Sequence, residues 1–226
     1  MVIYKEISKF KKSFDFVTNF FHYPIAIFLC SLISNSFLTP NHLTLISVVF
    51  EISAVFLIFY NLLDYNILIV ILLQLGWIFD LMDGMLARYK KVGFYDEKNP
   101  TLKGYYFDAV SDHIMKFMIL GALAYQYSLQ DQKGWLIGLI VIIIHGITQT
   151  ENTLREMISK AKKNQKNNLN HPLQLTSQIA LLMNNFYLFY FIFIPFNRID
   201  LLLISLGFCQ FILLAKRSIQ FSISKI

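Results

Sequence analysis

Residues 66–90 read NILIVILLQLGWIFDLMDGMLARYK. From 66 to 79 the stretch is almost wholly apolar; then two carboxylates arrive three residues apart, at Asp80 and Asp83. A hydrocarbon layer about 30 Å thick takes about 20 mostly apolar residues of helix to cross. The stretch is therefore read as a membrane-spanning helix whose last turns are charged. Ionisable groups inside a span cost at least ~2.5–3.5 kcal/mol each near its centre and as a rule serve a function.

The rest of the chain agrees with that class. Of its 226 residues 56% are hydrophobic and only 15% charged, with a mean hydropathy of +0.52, where a soluble domain carries roughly a quarter charged residues. Cys30 and Cys209 stand far apart and form neither a disulfide framework nor a zinc motif. The N-terminal stretch carries Lys5, Lys9, Lys11 and Lys12 but no small-residue cleavage site, so no removable leader is expected. The net charge of +6 does not point to nucleic acid, because the basic residues lie between apolar spans.

The expected fold is all-α: a polytopic helical bundle of six transmembrane helices, at 43–62, 66–90, 105–128, 134–157, 175–195 and 199–216. An amphipathic interfacial segment, 1–38, precedes the six-helix transmembrane domain, 39–226. The segment mixes lysines with Phe10, Phe14, Phe16, Phe20 and Phe21, which suits the headgroup layer. Thr39-Pro40-Asn41 makes a turn into the first span, since proline suits a helix start. The polar runs 91–104 and 160–170 are read as loops. With residue 1 inside, nearly all lysines and arginines between spans are inside too; only Lys133 and Arg198 fall outside. Both termini are thus expected in the cytoplasm.

A second stretch completes the charged set: Gly104, Asp108, Asp112 and Lys116 advance by four along one helix face. Asp80, Asp83, Gly84, Ala87 and Arg88 share a face of the preceding helix. The two helices run antiparallel, so Asp83 should match Asp108 in depth, and Asp80 should match Asp112. Four converging carboxylates call for one or two divalent cations, and all-oxygen ligation suits Mg²⁺, Mn²⁺ or Ca²⁺ rather than zinc. Gly84 and Ala87 leave bare helix surface beside them, and Arg88 offers a fork matched to phosphate. Together these describe a pyrophosphate site.

The pattern resembles that of the CDP-alcohol phosphatidyltransferase family, D-x-x-D-G-x-x-A-R, a spacer, then G-x-x-x-D-x-x-x-D. Asp80, Asp83, Gly84, Ala87, Arg88, Gly104, Asp108 and Asp112 occupy every fixed position, and Thr39-Pro40-Asn41-His42-Leu43-Thr44 looks like the stretch that opens the first span of these enzymes. The spacer, residues 89–103, is about twice the family's usual length, and so long a polar run beside a site is expected to be a mobile lid or tether over the nucleotide. The resemblance implies a membrane enzyme of phospholipid synthesis. It would move a substituted phosphate from a CDP-alcohol, such as CDP-diacylglycerol, to an acceptor alcohol and release CMP. It implies Mg²⁺ or Mn²⁺, as a pair of ions, held by Asp80, Asp83, Asp108 and Asp112. Asp112 would also be the general base. Asn41, Thr44, Gly84, Ala87, Arg88 and Gly104 would bind CDP, Lys116 and Arg155 the acceptor. A homodimer is implied as well. An Mg²⁺-dependent intramembrane prenyltransferase and an ion-coupled transporter are the competing classes.

Other polar residues have plainer readings. His145, Gln149, Asn152 and Arg155 form a stripe suited to hydrogen bonds between helices. His113 lies off the carboxylate face, and Asn184 and Asn185 are read as packing or interhelical contacts.

The orientation is testable with an impermeant amine reagent. Lys98 should be labelled only from the cytoplasmic side and Lys133 only from the other; labelling of both from one face would break the six-span arrangement.

Overall fold

The computed structural model describes the backbone of residues 2–12, 15–60, 65–163 and 180–223, and the side chains of 3–12, 15–60, 65–154 and 180–219. The described residues are helical, with no strand among them. We number the helices α1 (Val2–Ser8), α2 (Tyr23–Ile33), α3 (Pro40–Phe59), α4 (Asn66–Lys90), α5 (Lys103–Gln130), α6 (Gly134–Lys163), α7 (Phe186–Phe193) and α8 (Ile199–Ile223). A π-helical turn, Thr18–His22, leads into α2.

Among the described residues, four helices are long and apolar enough to cross a membrane: α3, α4 extended to Tyr95, α6 over Gly134–Leu154, and α8 over Ile199–Ile219. α5 has the length, at ~1.5 Å per residue, but its face of Asp108, Asp112 and Lys116 lowers its hydropathy. The expected fifth span begins outside the described residues, which resume at 180. There the helix ends at Met183 and restarts after Asn185, whose side chain caps α7 by accepting from Leu188 N–H (3.1 Å). α6 continues to Lys163, so the helix extends into the polar run that the sequence placed in a loop.

The bundle holds two apolar cores. In one, Ala54 and Ile58 of α3, Leu73 of α4 and Leu120 of α5 meet Tyr190 of α7 and Leu202 and Leu206 of α8. In the other, Ile7, Tyr23, Ala26 and Cys30 pack on Leu43 and on Ile78, Met82 and Met85 of α4. The N-terminal helices therefore clamp the charged end of α4 as well as lying at a surface. Phe16, Phe20 and Phe21 remain mostly exposed, as headgroup-layer residues would. Outward faces carry Leu45, Val49 and Phe56 on α3 and Leu139, Ile143 and Ile147 on α6, the apolar coat a lipid-facing bundle needs.

Without a hydrophobic drive between helices in lipid, association relies on close packing at small residues. A Cβ on Gly138 of α6 would collide with Ala124 of α5. Gly138→Val should part these helices and destabilise the detergent-purified protein by about 1–3 kcal/mol, read as a lower thermal unfolding midpoint. Leu139→Val, on the exposed face, should leave the midpoint nearly unchanged.

Candidate active site

The site begins with how α3 starts. Thr39 Oγ1 accepts from His42 N–H (3.4 Å) while His42 Nδ1 accepts from Thr39 N–H (3.3 Å), a reciprocal cap with Pro40 inside the first turn. Such caps contribute about 1 kcal/mol. Lys90 Nζ donates to the carbonyls of Ser36 and Leu38, 2.8 Å each, which pins the α2–α3 link to the end of α4. Asn41 and Thr44 are thereby held against α4. Thr44 Oγ1 donates to Asp83 Oδ2 at 2.6 Å.

Asp80 and Asp83 of α4 and Asp108 of α5 converge, with a carboxylate oxygen of each within 4.8 Å of the others. Asp83 is buried and the other two are half-buried. Oxygens so gathered in an apolar bundle repel unless a cation lies among them, and hard oxygen donors fit Mg²⁺ or Mn²⁺. Asp112 stands outside this trio: its Oδ2 accepts from Lys116 Nζ at 2.6 Å, one turn further along α5.

The trio opens into a cavity of about 490 Å³. Asn41, Thr44, Gly84, Ala87, Arg88 and Gly104 all line it, with Asp83 and Asp108. The surface beside Gly84 is not bare: the Arg88 guanidinium lies along it, 3.4 Å from where a Cβ would sit. Arg88 Nε donates to the Phe10 carbonyl (2.9 Å), so the N-terminal segment aims the fork. Across the cavity a Cβ on Gly104 would come 3.1 Å from Asn41 Oδ1. Lys12 also lines the cavity, and the sequence pattern did not single it out.

Lys116 lines a second, smaller cavity of about 130 Å³, with Asp15, Trp77, Gln149, Asn184, Asn185 and Tyr187. Asn185 Nδ2 donates to Asp15 Oδ2 (3.0 Å), and Asp15 also accepts from Thr18 N–H and Oγ1. Asn185 thus makes a contact between elements, joining α7 to the N-terminal segment, while Asn184 walls the cavity. The Arg155 side chain lies outside the described residues. Of its stripe, His145 meets Gln210 (3.3 Å) and Asn152 accepts from Arg217 (2.6 Å), the helix–helix bonds expected, while Gln149 faces the cavity. His113 Nδ1 contacts the Ala109 carbonyl, away from the trio.

Glu51 is the largest omission of the sequence reading. It is buried in mid-α3, and Tyr187 Oη donates to its Oε1 at 2.5 Å. A Cβ on Gly76 would lie 2.7 Å from Glu51 Cγ, so that glycine makes its slot. Tyr187 stacks on Trp77 at 4.7 Å, and its carbonyl accepts from Gln74, which meets His22. A carboxylate within an apolar run was the available signal.

The family model of the CDP-alcohol phosphatidyltransferases matches residues 37–211, and the chain belongs to that family. Its members transfer a phosphatidyl group from a CDP-alcohol, so the protein is a membrane-embedded transferase. No curated protein matches the chain.

The trio makes a direct prediction. Asp83→Asn should abolish saturable Mn²⁺ binding measured by electron paramagnetic resonance, and Asp96→Asn, in the spacer, should not. Thr44→Val removes a partner of a ligand and should weaken binding by about ten- to a hundredfold. Unchanged Mn²⁺ affinity in Asp83→Asn would remove the trio as the metal site.

Proposed function

We propose that the protein transfers a substituted phosphate from a CDP-linked lipid, with CDP-diacylglycerol as the leading donor, to a small acceptor alcohol. One observation carries this reading. Three carboxylates from two helices converge, two of them lining a nucleotide-sized cavity with a phosphate fork, and a separate smaller cavity is lined by Lys116, the partner of Asp112.

The residues divide the work. Asp80, Asp83 and Asp108 would hold the divalent metal, with Asp112 as a further ligand in the two-ion version, and the chemistry supplied there would be charge neutralisation during the displacement at phosphorus. Arg88, aimed by Phe10, takes the pyrophosphate; Asn41, Thr44, Gly84, Ala87 and Gly104 shape the nucleotide's bed. The acceptor enters from the smaller cavity, where Lys116 and the walls of Asn184, Gln149 and Tyr187 orient it; Arg155 is a further acceptor contact in this reading. The acceptor oxygen bonds to the phosphorus farther from cytidine, the bond from that phosphorus to the bridging oxygen breaks, and CMP leaves with that oxygen. Lys116 engages Asp112 through Oδ2; Oδ1 remains to accept the acceptor's proton. Positioning and electrostatics supply most of such a rate.

Six spans, a cytoplasmic site with both termini on that side, and a homodimer belong to the same proposal. Lysine asymmetry supports the orientation, and family resemblance supports the dimer.

The test is incubation of the purified protein with CDP-diacylglycerol, Mg²⁺ and a panel of alcohols, following CMP. CMP should appear only with metal and acceptor together. Pyrophosphate release would favour a prenyltransferase, and solute flux without covalent change a transporter. Asp112→Asn should keep most CDP binding and lose ~10²–10⁴-fold in turnover, the range of general-base catalysis. Normal turnover in that variant would assign the proton to water or to the acceptor itself.

A further inference from the structure

The long spacer between α4 and α5 is not an open tether. α4 ends with Lys91 in the left-handed region (φ 51°), which turns the chain back toward the cavity. A 3₁₀ turn, Gly93–Tyr95, follows, and Gly93 also has a positive φ (67°). The segment then closes on itself: Thr101 N–H donates to the Gly93 carbonyl (3.0 Å), and Asp96 Oδ1 accepts from the N–H groups of Lys98 (2.9 Å) and Asn99 (3.1 Å). Those backbone donors, Asn99 first, hold the Asp96 carboxyl below the usual carboxylate range. A Lys91–Glu97 ion pair at 2.8 Å spans its outer side.

This closed turn supplies a wall of the nucleotide cavity through Val92, Phe94, Tyr95 and Thr101. Phe94 and Tyr95 meet edge to face at 5.5 Å, yet they are 58% and 38% exposed. Tyr95 is also placed by Arg88, whose guanidinium carbon lies 5.8 Å from the ring centroid and whose Nη1 donates to Tyr95 Oη at 3.5 Å. Along α4 the cavity wall runs from Asp83 through Gly84, Ala87 and Arg88 to this turn. At ~1.5 Å per residue, Lys91 stands roughly 12 Å from Asp83. The order along the wall is therefore carboxylates, phosphate fork, then two aromatic rings. An extended nucleoside diphosphate has the same order, with its base at the far end.

We infer that Phe94 and Tyr95 form the stacking wall for the nucleobase of the donor, so that the long spacer is a base-binding element beside the phosphate fork. The inference rests on the nucleotide-donor reading above. Aromatic rings bind bases by their faces, and loss of one such ring weakens binding by roughly tenfold. The competing use of exposed rings at this height is anchoring in lipid headgroups.

The experiment is calorimetric titration of the full chain in detergent and Mg²⁺ with CMP, and separately with inorganic pyrophosphate as a base-free probe. Phe94→Ala and Tyr95→Leu should each weaken CMP about tenfold and leave pyrophosphate unchanged, while Tyr95→Phe, which keeps the ring, should bind CMP like the wild type. Undiminished CMP affinity in both ring-less variants overturns the inference and leaves the rings to the headgroups. Equal losses for CMP and pyrophosphate also overturn it, since the turn would then act only through Arg88. If the wild type binds pyrophosphate but not CMP, the nucleotide-donor reading falls first and the base wall with it.

Discussion

Carboxylate repulsion in an apolar bundle is the constraint around which this protein is arranged. Asp80, Asp83 and Asp108 bring their oxygens within 4.8 Å of one another between helices whose outer faces are coated with leucine, isoleucine and phenylalanine. Charges in such a medium interact far more strongly than in water, so the arrangement persists only with neighbours that complement it. Thr44 donates to Asp83 and Lys116 holds Asp112, and a cation bound among the trio would complete the balance.

Much of the remaining structure keeps those two helices where the charges need them. The N-terminal helices, which composition places in the headgroup layer, pack on the same turns of α4 that carry the aspartates, and Phe10 aims Arg88. Lys90 ties the α2–α3 link to α4. On the other flank, Glu51, Tyr187, Trp77, Gln74 and His22 form a buried polar chain joining α3, α7, α4 and the N-terminal turn. Polar bonds of this sort are worth about 0.6–2 kcal/mol in a bilayer, so several in series hold a cavity wall better than any one.

The site is divided as well as charged. The larger cavity takes its walls from the start of α3, the end of α4 and the spacer, and the smaller from α5, α6, α7 and Asp15. Asp83 and Asp108 line the larger, and Lys116, which holds Asp112, lines the smaller.

The membrane class, the long apolar helices, the faces shared by Asp80 with Asp83 and by Asp108 with Asp112, and the cavity residues from Asn41 to Gly104 were legible in the sequence. Helical periodicity and the price of charge in lipid act locally, so they leave a local pattern. Tertiary structure alone decided the rest. Asp108 joins Asp80 and Asp83 while Asp112 turns to Lys116, because side-chain reach between helices depends on their contact, not on spacing within either. Gly76 reads as a neutral residue in an apolar run until Glu51 is seen filling the space beside it. Asn185 caps α7 and binds Asp15, 170 positions away, and no window of sequence contains both partners. Length and polarity marked the spacer as a mobile lid or tether over the nucleotide, but its folding into a closed turn depends on Lys91 and Gly93, and a change of backbone direction is written in φ angles that composition does not display.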